Sequence, residues 1–429
     1  MRNRFLAFAA VSLAACANVP VTAARGEDRS GADLMHQTYA FLHQNPELGG
    51  KEFLAHETLS SALRGMPGVH LVSSELAPTA VIGVFDTGKP GPTIALRAEM
   101  DARPLTIGTS EPESHSPRST IDGVMHNCGH DAHAAILLGA AERMTGNPAG
   151  LSGQIVFLFQ PAEEIKGGAD DIVEEGLLTK LGVEAIFALH AAPGMPVGRA
   201  EIASGPAMAG SNYFDLVLTG RGSHAAVPFE GSDLPLTATH FVEALSQSPA
   251  RQIDIANRPF VFSITRLIVD SGSKNVLPTE ARIAGTLRAF EDIDVAPEGQ
   301  GTSLRALTTD MITRLATAYD VEADFDLRKG SPPTINNVDL LQKMRPFIED
   351  EWAGELALSN WQGMFSEDFS YYTAEIPALY FSLGIARDGL GTGGVHTPDF
   401  TIHPDALTYG RDLLVSLAKA ASSAGQGEP

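Results

Sequence analysis

The string His126-Asn127-Cys128-Gly129-His130-Asp131-Ala132-His133 packs three imidazoles, one thiol and one carboxylate into eight residues. Imidazole and thiolate are the donors zinc and its neighbours prefer, and a carboxylate beside them can bind metal or orient a ligating histidine through its second ring nitrogen. Helix capping or surface exposure would explain one such histidine but not this density. A second pair of reactive groups, Glu163 and Glu164, follows the apolar run 154–159 and its exit Gln160-Pro161-Ala162. If the chain is extended there, neighbouring side chains diverge, so one carboxylate can hold a metal while the other reaches a water. His190 closes a third apolar run, 185–189, and His396 lies in the glycine-rich Gly393-Gly394-Val395-His396-Thr397-Pro398. Each of these two, taken alone, reads as an ordinary rim or surface histidine. Taken together, Cys128, His130, Glu164, His190 and His396 are expected to converge at one sheet edge with Glu163 beside them. Five donors exceed what one tetrahedral ion requires. Sharing one donor between two ions gives a two-metal arrangement, about 3.5–4 Å across, with a bridging water acidified enough to attack a carbonyl.

The elements that must position these groups follow from the hydrophobic pattern. An opening helix is expected at 31–45, strands at 80–85, 93–96, 154–159 and 185–189, and a helix at 132–144. Strands alternating with helices predict an α/β domain with a mostly parallel sheet, whose ligand sites lie at the C-terminal strand ends. From about residue 211 the order becomes strand 213–219, helix 236–245, strands 260–268 and 281–290, helix 304–318 and strand 321–327. That is βαββαβ, a ferredoxin-like unit inserted into the first domain. The first pattern resumes with helix 338–352, strand 378–383 and helix 404–420. The expected division is a catalytic domain over 25–207 and 331–421, an insertion over 208–330, and a small polar, disordered tail over 422–429.

Composition bounds the function. With 44% apolar and 19% charged residues, 429 residues supply more than one core and too few charges to stay unfolded. The net charge of −22 argues against a nucleic-acid backbone as partner. Arg2 and Arg4 precede an apolar run, 5–15, too short to span a bilayer, which reads as a secretory signal within residues 1–24. Its end, Leu13-Ala14-Ala15-Cys16, resembles a bacterial lipobox, in which Cys16 is acylated; the alternative is cleavage after Thr22-Ala23-Ala24. Either way the expectation is an exported bacterial protein, periplasmic or anchored to a membrane as a lipoprotein. Cys128 is then the thiol left in the folded body, and no disulfide framework is possible.

Several strings are recognisable in order: Leu96-Arg97-Ala98-Glu99-Met100-Asp101-Ala102, the His126–His133 segment, Gln160-Pro161-Ala162-Glu163-Glu164 with Gly167-Gly168-Ala169, Gly220-Arg221-Gly222-Ser223-His224-Ala225-Ala226, and Ser366-Glu367-Asp368-Phe369-Ser370-Tyr371. Over about residues 31–420 the chain resembles the amidohydrolase branch of the aminoacylase/carboxypeptidase di-metal peptidase family, to which hippurate hydrolase and the plant indole-acetyl-amino-acid hydrolases belong. The resemblance implies an amide hydrolase for N-acyl amino acids or small peptides. By motif position, Cys128, His130, Glu164, His190 and His396 match the family's ligands for two divalent ions, zinc or manganese, and Glu163 matches its general acid/base. Asp101 matches a carboxylate that orients a ligating histidine, and His224 an oxyanion-stabilising residue that reaches a partner's site in a homodimer formed through the inserted lid. Asn275 matches a substrate contact, and Arg288 the position that holds the substrate carboxylate. Glu99, Asn127 and Ala132 depart from the family's usual Asp, Ala and Gly, and none of them removes a ligand. Two other readings stand beside hydrolysis: a peptide-binding lipoprotein of the same fold without turnover, and Cys128 acting as a nucleophile with a nearby histidine as base.

Overall fold

The computed structural model describes residues 32–165, 167–247, 249–299, 301–360 and 362–424. Cys16 and the rest of the signal segment lie outside the described residues. Six strands come first: β1 (Val69–Val72), β2 (Val81–Asp86), β3 (Thr93–Glu99), β4 (Gln154–Gln160), β5 (Ala185–Pro196) and β6 (Arg199–Ala203). Four strands then form a separate sheet: β7 (Gly210–Thr219), β8 (Phe260–Val269), β9 (Glu280–Ala289) and β10 (Glu322–Lys329). Finally β11 (Glu355–Ser359) and β12 (Ala378–Ala386) return to the first sheet, whose order is β1-β2-β4-β3-β5-β12-β6-β11.

The centre of the larger sheet, β4-β3-β5-β12, is parallel, as alternating strands and helices require. Its flanks are not wholly so: β1 and β2 join antiparallel, as do β2 with β4 and β12 with β6. Both faces of β3 and β4 are buried. Leu96 and Phe157 face one core with helices α1 (Ala32–Gln44), α2 (Phe53–Arg64) and α3 (His130–Gly146), while Ala95, Val156 and Leu158 face a second. Helices α4 (Leu234–Gln247) and α5 (Leu304–Tyr319) cover the smaller sheet, and α6 (Val338–Glu351) and α7 (Pro404–Ala424) return to the first core. Helix α3 is buried almost throughout, and α1 crosses it so closely that a Cβ on Gly139 would stand 3.0 Å from Met35 Sδ.

The smaller sheet is antiparallel, in the order β8-β9-β7-β10, and its strands and helices follow one another as βαββαβ with their own apolar core. Three expectations need correction. Strand β5 runs on past His190 to Pro196, because β12 stays paired with it through Pro196 after β3 has left it at Ala188. Helix α2 and strands β1, β6 and β11 were not anticipated. The expected disordered tail begins too early: Ser422 is helical and buried, donating to Ala418 O at 2.9 Å and accepting from Ser152 N at 3.1 Å. An Ala- and Ser-rich end continues a helix when its hydroxyls find such partners.

Candidate metal centre

Helix α3 starts from Gly129, which is left-handed at φ +96°. A Cβ there would stand 3.2 Å from that of Ala191 and 3.3 Å from the Phe400 ring, so glycine lets the chain turn tightly between Cys128 and His130. His190 sits where β5 outruns β3, with its Nε2 at 3.4 Å from Cys128 Sγ. The loop carrying His396 is tied directly to the motif, since His396 N–H donates to Asn127 O at 2.7 Å. Glu163 and Glu164 are not on extended chain: the strand ends at Gln160 and the two acids share a single 3-10 turn, Glu163–Ile165. Their carboxylates stay close, Glu164 beside Cys128 and His396 and Glu163 beside Glu367 and Asp368. Three overlapping groups, Cys128/His130/His190, Cys128/Glu164/His396 and His130/Glu163/Glu164, each have their donor atoms within 4.8 Å of one another. All five expected donors and Glu163 therefore meet in one place.

The hydrogen bonds fix which nitrogens are offered. His130 Nδ1 donates to Asp101, at 3.0 Å to its carbonyl and 3.1 Å to Oδ1, which leaves Nε2 buried without a hydrogen-bond partner. Asp101 Oδ2 also accepts from Glu164 N–H at 3.0 Å, so one carboxylate orients a donor and anchors the turn bearing another. His190 Nδ1 donates to Ala191 O at 2.9 Å, turning the Nε2 lone pair toward Cys128. A carbonyl or carboxylate on Nδ1 with a free Nε2 is the usual arrangement of a metal-ligating histidine. His133 is different, because its Nδ1 donates to Glu99 at 2.8 Å and its Nε2 accepts from Ala191 N–H at 2.9 Å. Both its nitrogens are spent, which leaves it a structural residue. Orphaned His130 Nε2, a thiol beside two imidazoles and an adjacent carboxylate suit a soft divalent cation.

Electrostatics separate the two glutamates. Burial pushes Glu164 up, but His396, His130 and Arg103 outweigh it and bring the carboxyl down to about 2. Glu163 is held well above the usual carboxylate range by burial and by Glu367 and Asp368 facing it. Burial likewise pushes the Cys128 thiol up, yet His190 and His130 prevail and lower it to about 6. One member of the acidic pair is thus kept ionised and the other kept ready to hold a proton.

Behind the donors lies a buried network that residue types alone did not reveal. Arg97 Nη1 pairs with Glu99, Nη2 reaches Glu367 at 3.0 Å and Asp368 at 2.6 Å, and Nε donates to Gln160 at 2.8 Å. Gln160 and Ala169 donate to Asp368 Oδ2, and the Tyr380 hydroxyl donates to Glu367. The signal available was an arginine and a glutamate alternating inside the apolar run of β3. Arg288 Nη1 donates to Ser366 Oγ at 3.0 Å, which places it on the smaller sheet beside this network. His224 and Asn275 are brought together on exposed connections of that sheet, Ala225 N–H donating to Asn275 O at 2.9 Å. Among the described residues neither bonds to the donor cluster.

The chain has relatives among known proteins. The family model for peptidase family M20/M25/M40 matches residues 95–420. IAA-amino acid hydrolase ILR1-like 2 of Arabidopsis thaliana is 36% identical over 382 residues, 88% of this chain and 82% of that one. N-acetylcysteine deacetylase of Bacillus subtilis (strain 168) is 32% identical over 383 residues, 88% of this chain and 94% of the relative. Among solved structures, a Bacillus subtilis dinuclear metal-binding peptidase of the M20 family has a TM-score of 0.77 and 28% identity, covering 92% of this chain and 99% of its own.

Proposed function

Since the chain belongs to peptidase family M20/M25/M40, we propose that it is a metal-dependent amide hydrolase acting on N-acyl amino acids or small peptides with a free carboxylate. The observation that carries this reading is the meeting of Cys128, His130, Glu164, His190 and His396 around Glu163, with His130 Nε2 left unpartnered. These five would hold two divalent cations, in keeping with the dinuclear metal binding of the similar Bacillus subtilis peptidase. Thiolate and imidazole donors favour zinc over manganese. Bound there, such cations supply Lewis acidity, lowering the pKa of water and polarising a carbonyl.

The chain's own residues do the rest. Glu163, as the carboxylate, takes the proton of the attacking water, holds it because its surroundings favour the protonated form, and returns it to the leaving amine. Asp101 keeps His130 in the tautomer that offers Nε2. Arg288, steadied by Ser366, presents a guanidinium fork suited to a carboxylate. The substrate class draws support from the two relatives, one named for an IAA-amino acid and the other for N-acetylcysteine.

His224 lies outside the cluster and acts, in this reading, in a partner's site. The smaller sheet offers a route to such a dimer: β8 is an edge strand with Val261, Leu267 and Ile268 exposed, whereas the opposite edge, β10, carries Glu322, Asp324, Asp326 and Arg328. Export rests on Arg2, Arg4 and the apolar run 5–15, and a lipid anchor on the Leu13-Ala14-Ala15-Cys16 string that ends it; mass spectrometry of the mature N-terminus tests both.

The test of the function pairs metal analysis with Glu163→Gln. Expected are two equivalents of metal per chain, retained in the variant, with turnover of an N-acyl amino acid lowered at least about a hundredfold. Chelation should abolish activity and added cation restore it. Near-normal turnover in the variant would remove Glu163 from the mechanism, and activity that survives chelation but not thiol alkylation would favour a Cys128 nucleophile.

A further inference from the structure

Arg103 stands two residues after Asp101 and pairs with Met125 across a two-stranded ladder, Arg103–Pro104 with Val124–Met125, immediately before His126. The turn that places Asp101 therefore also places this guanidinium. Its Nη1 donates to Glu164 Oε2 at 3.1 Å and lies 2.5 Å from His396 Nδ1. Two of the five candidate donors thus already share one cation, and it belongs to the protein. The side chain is 31% exposed, so it has somewhere to go.

The guanidinium meets the Nδ1 side of His396, whose Nε2 faces Glu164 Oε1 at 3.4 Å. A cation held between Nε2 and the Glu164 carboxylate would stand beside that guanidinium. The two positive groups repel at such range, so they compete for the same two side chains.

We propose that Arg103 is an internal competitor for the metal: it holds Glu164 and His396 paired, and the cation that takes these two donors must displace it. The proposal rests on the reading of Glu164 and His396 as ligands. Because coupling is reciprocal, the cation's arrival releases the guanidinium to the mouth of the site, and the guanidinium lowers the cation's affinity by the same factor.

Zinc chloride titrated into wild type and Arg103→Leu, in competition with a chromophoric chelator, measures the coupling; thermal unfolding with and without zinc accompanies it. The Leu variant should bind its weaker zinc at least about tenfold more tightly, within the usual span of coupling between sites. Its melting temperature should fall in chelator and hold in zinc, since Glu164 loses its partner only when no cation replaces it. Equal or weaker zinc affinity in the variant would overturn the proposal. So would an equal fall in melting temperature with and without zinc, the mark of an arginine that only packs. If wild type binds no zinc through these residues, the proposed function falls as well; if it binds zinc and the variant matches it, only the role of Arg103 is lost.

Discussion

The two sheets handle charge in opposite ways. The larger one buries Arg97, Glu99, Asp101, His130, His133, Glu367 and Asp368 around its strand ends, whereas the core of the smaller one is Phe214, Leu216, Leu218, Phe241, Ile283 and Leu287. Among the described residues of β7 to β10 and their helices and connections, the buried charged side chain is Arg258, paired with Glu291. Burying a charge costs several kcal/mol unless partners satisfy it, so a protein concentrates such groups where their chemistry is used. The smaller sheet is held mainly by apolar packing, and the residues through which it would meet a substrate under the proposed function, Arg288, His224 and Asn275, lie at its strand ends and connections.

The contrast can be broken most severely at Arg97. Replacing it with Met should cost about 3–5 kcal/mol, because Glu99, Glu367 and Asp368 then lie buried without their cation. Burial pushes the Glu99 carboxyl up and Arg97 leads the groups that hold it well below the usual range, so without the guanidinium the deficit should be largest near neutral pH and shrink as pH falls toward about 4. Leu216→Ala in the smaller sheet should cost about 2–5 kcal/mol with no such pH dependence. Urea unfolding of both variants at pH 5 and 7.5 decides; parallel losses at the two pH values would mean that the sheets do not differ as described.

His43 sharpens the comparison within the first region. Burial pushes its imidazole down, but Asp131 at 2.6 Å and Glu111 at 2.9 Å outweigh it and raise the group to about 10. A folded value above the unfolded one gives stability that is complete below about pH 6.5 and fades as pH climbs toward 10. His43→Gln should therefore cost about 3 kcal/mol at pH 6 and clearly less at pH 9. A constant difference across that range would show that the ring contributes shape rather than charge. The smallest effect belongs to the smaller sheet: Ser303 Oγ accepts from Ala306 N–H at 3.2 Å to cap α5, so Ser303→Ala should lower stability by about 1 kcal/mol at every pH.

What could be read from residue order was decided by where each group finds its partner. Cys128 and His130 stood out because rare types cluster there, and Glu164 and His190 because they follow apolar runs that must be strands, whereas His396 in its glycine-rich loop gave little local signal. The insertion was legible because its strands and helices carry clean periodicity, as in β9, where buried residues alternate from Ala281 to Ala289. Arg97 was opaque as a structural keystone, since Glu367 and Asp368 lie 270 and 271 positions away. Helix α2 was missed for a related reason. Its first residues have no cap of their own, and Glu47 accepts from Leu54 N–H at 2.8 Å and Ala55 N–H at 2.9 Å, while the capping position, Glu52, is spent on Gly50, Ala162 and Thr79. Strands β1, β6 and β11 are four or five residues long and take their register from neighbours that local pattern does not name.

The bond from His396 N–H to Asn127 O joins the last donor in the chain to the motif that carries the first. During synthesis, a ribosome that has released residues only through strand β12 has exposed Cys128, His130, Glu164 and His190, but not their fifth companion. Long-range closure of this kind is the slow part of folding. With the proposed ligand set, the centre is therefore completed last in the life of a newly made chain, and a nonsense codon between positions 190 and 396 leaves a fragment that carries four of the five groups and lacks His396.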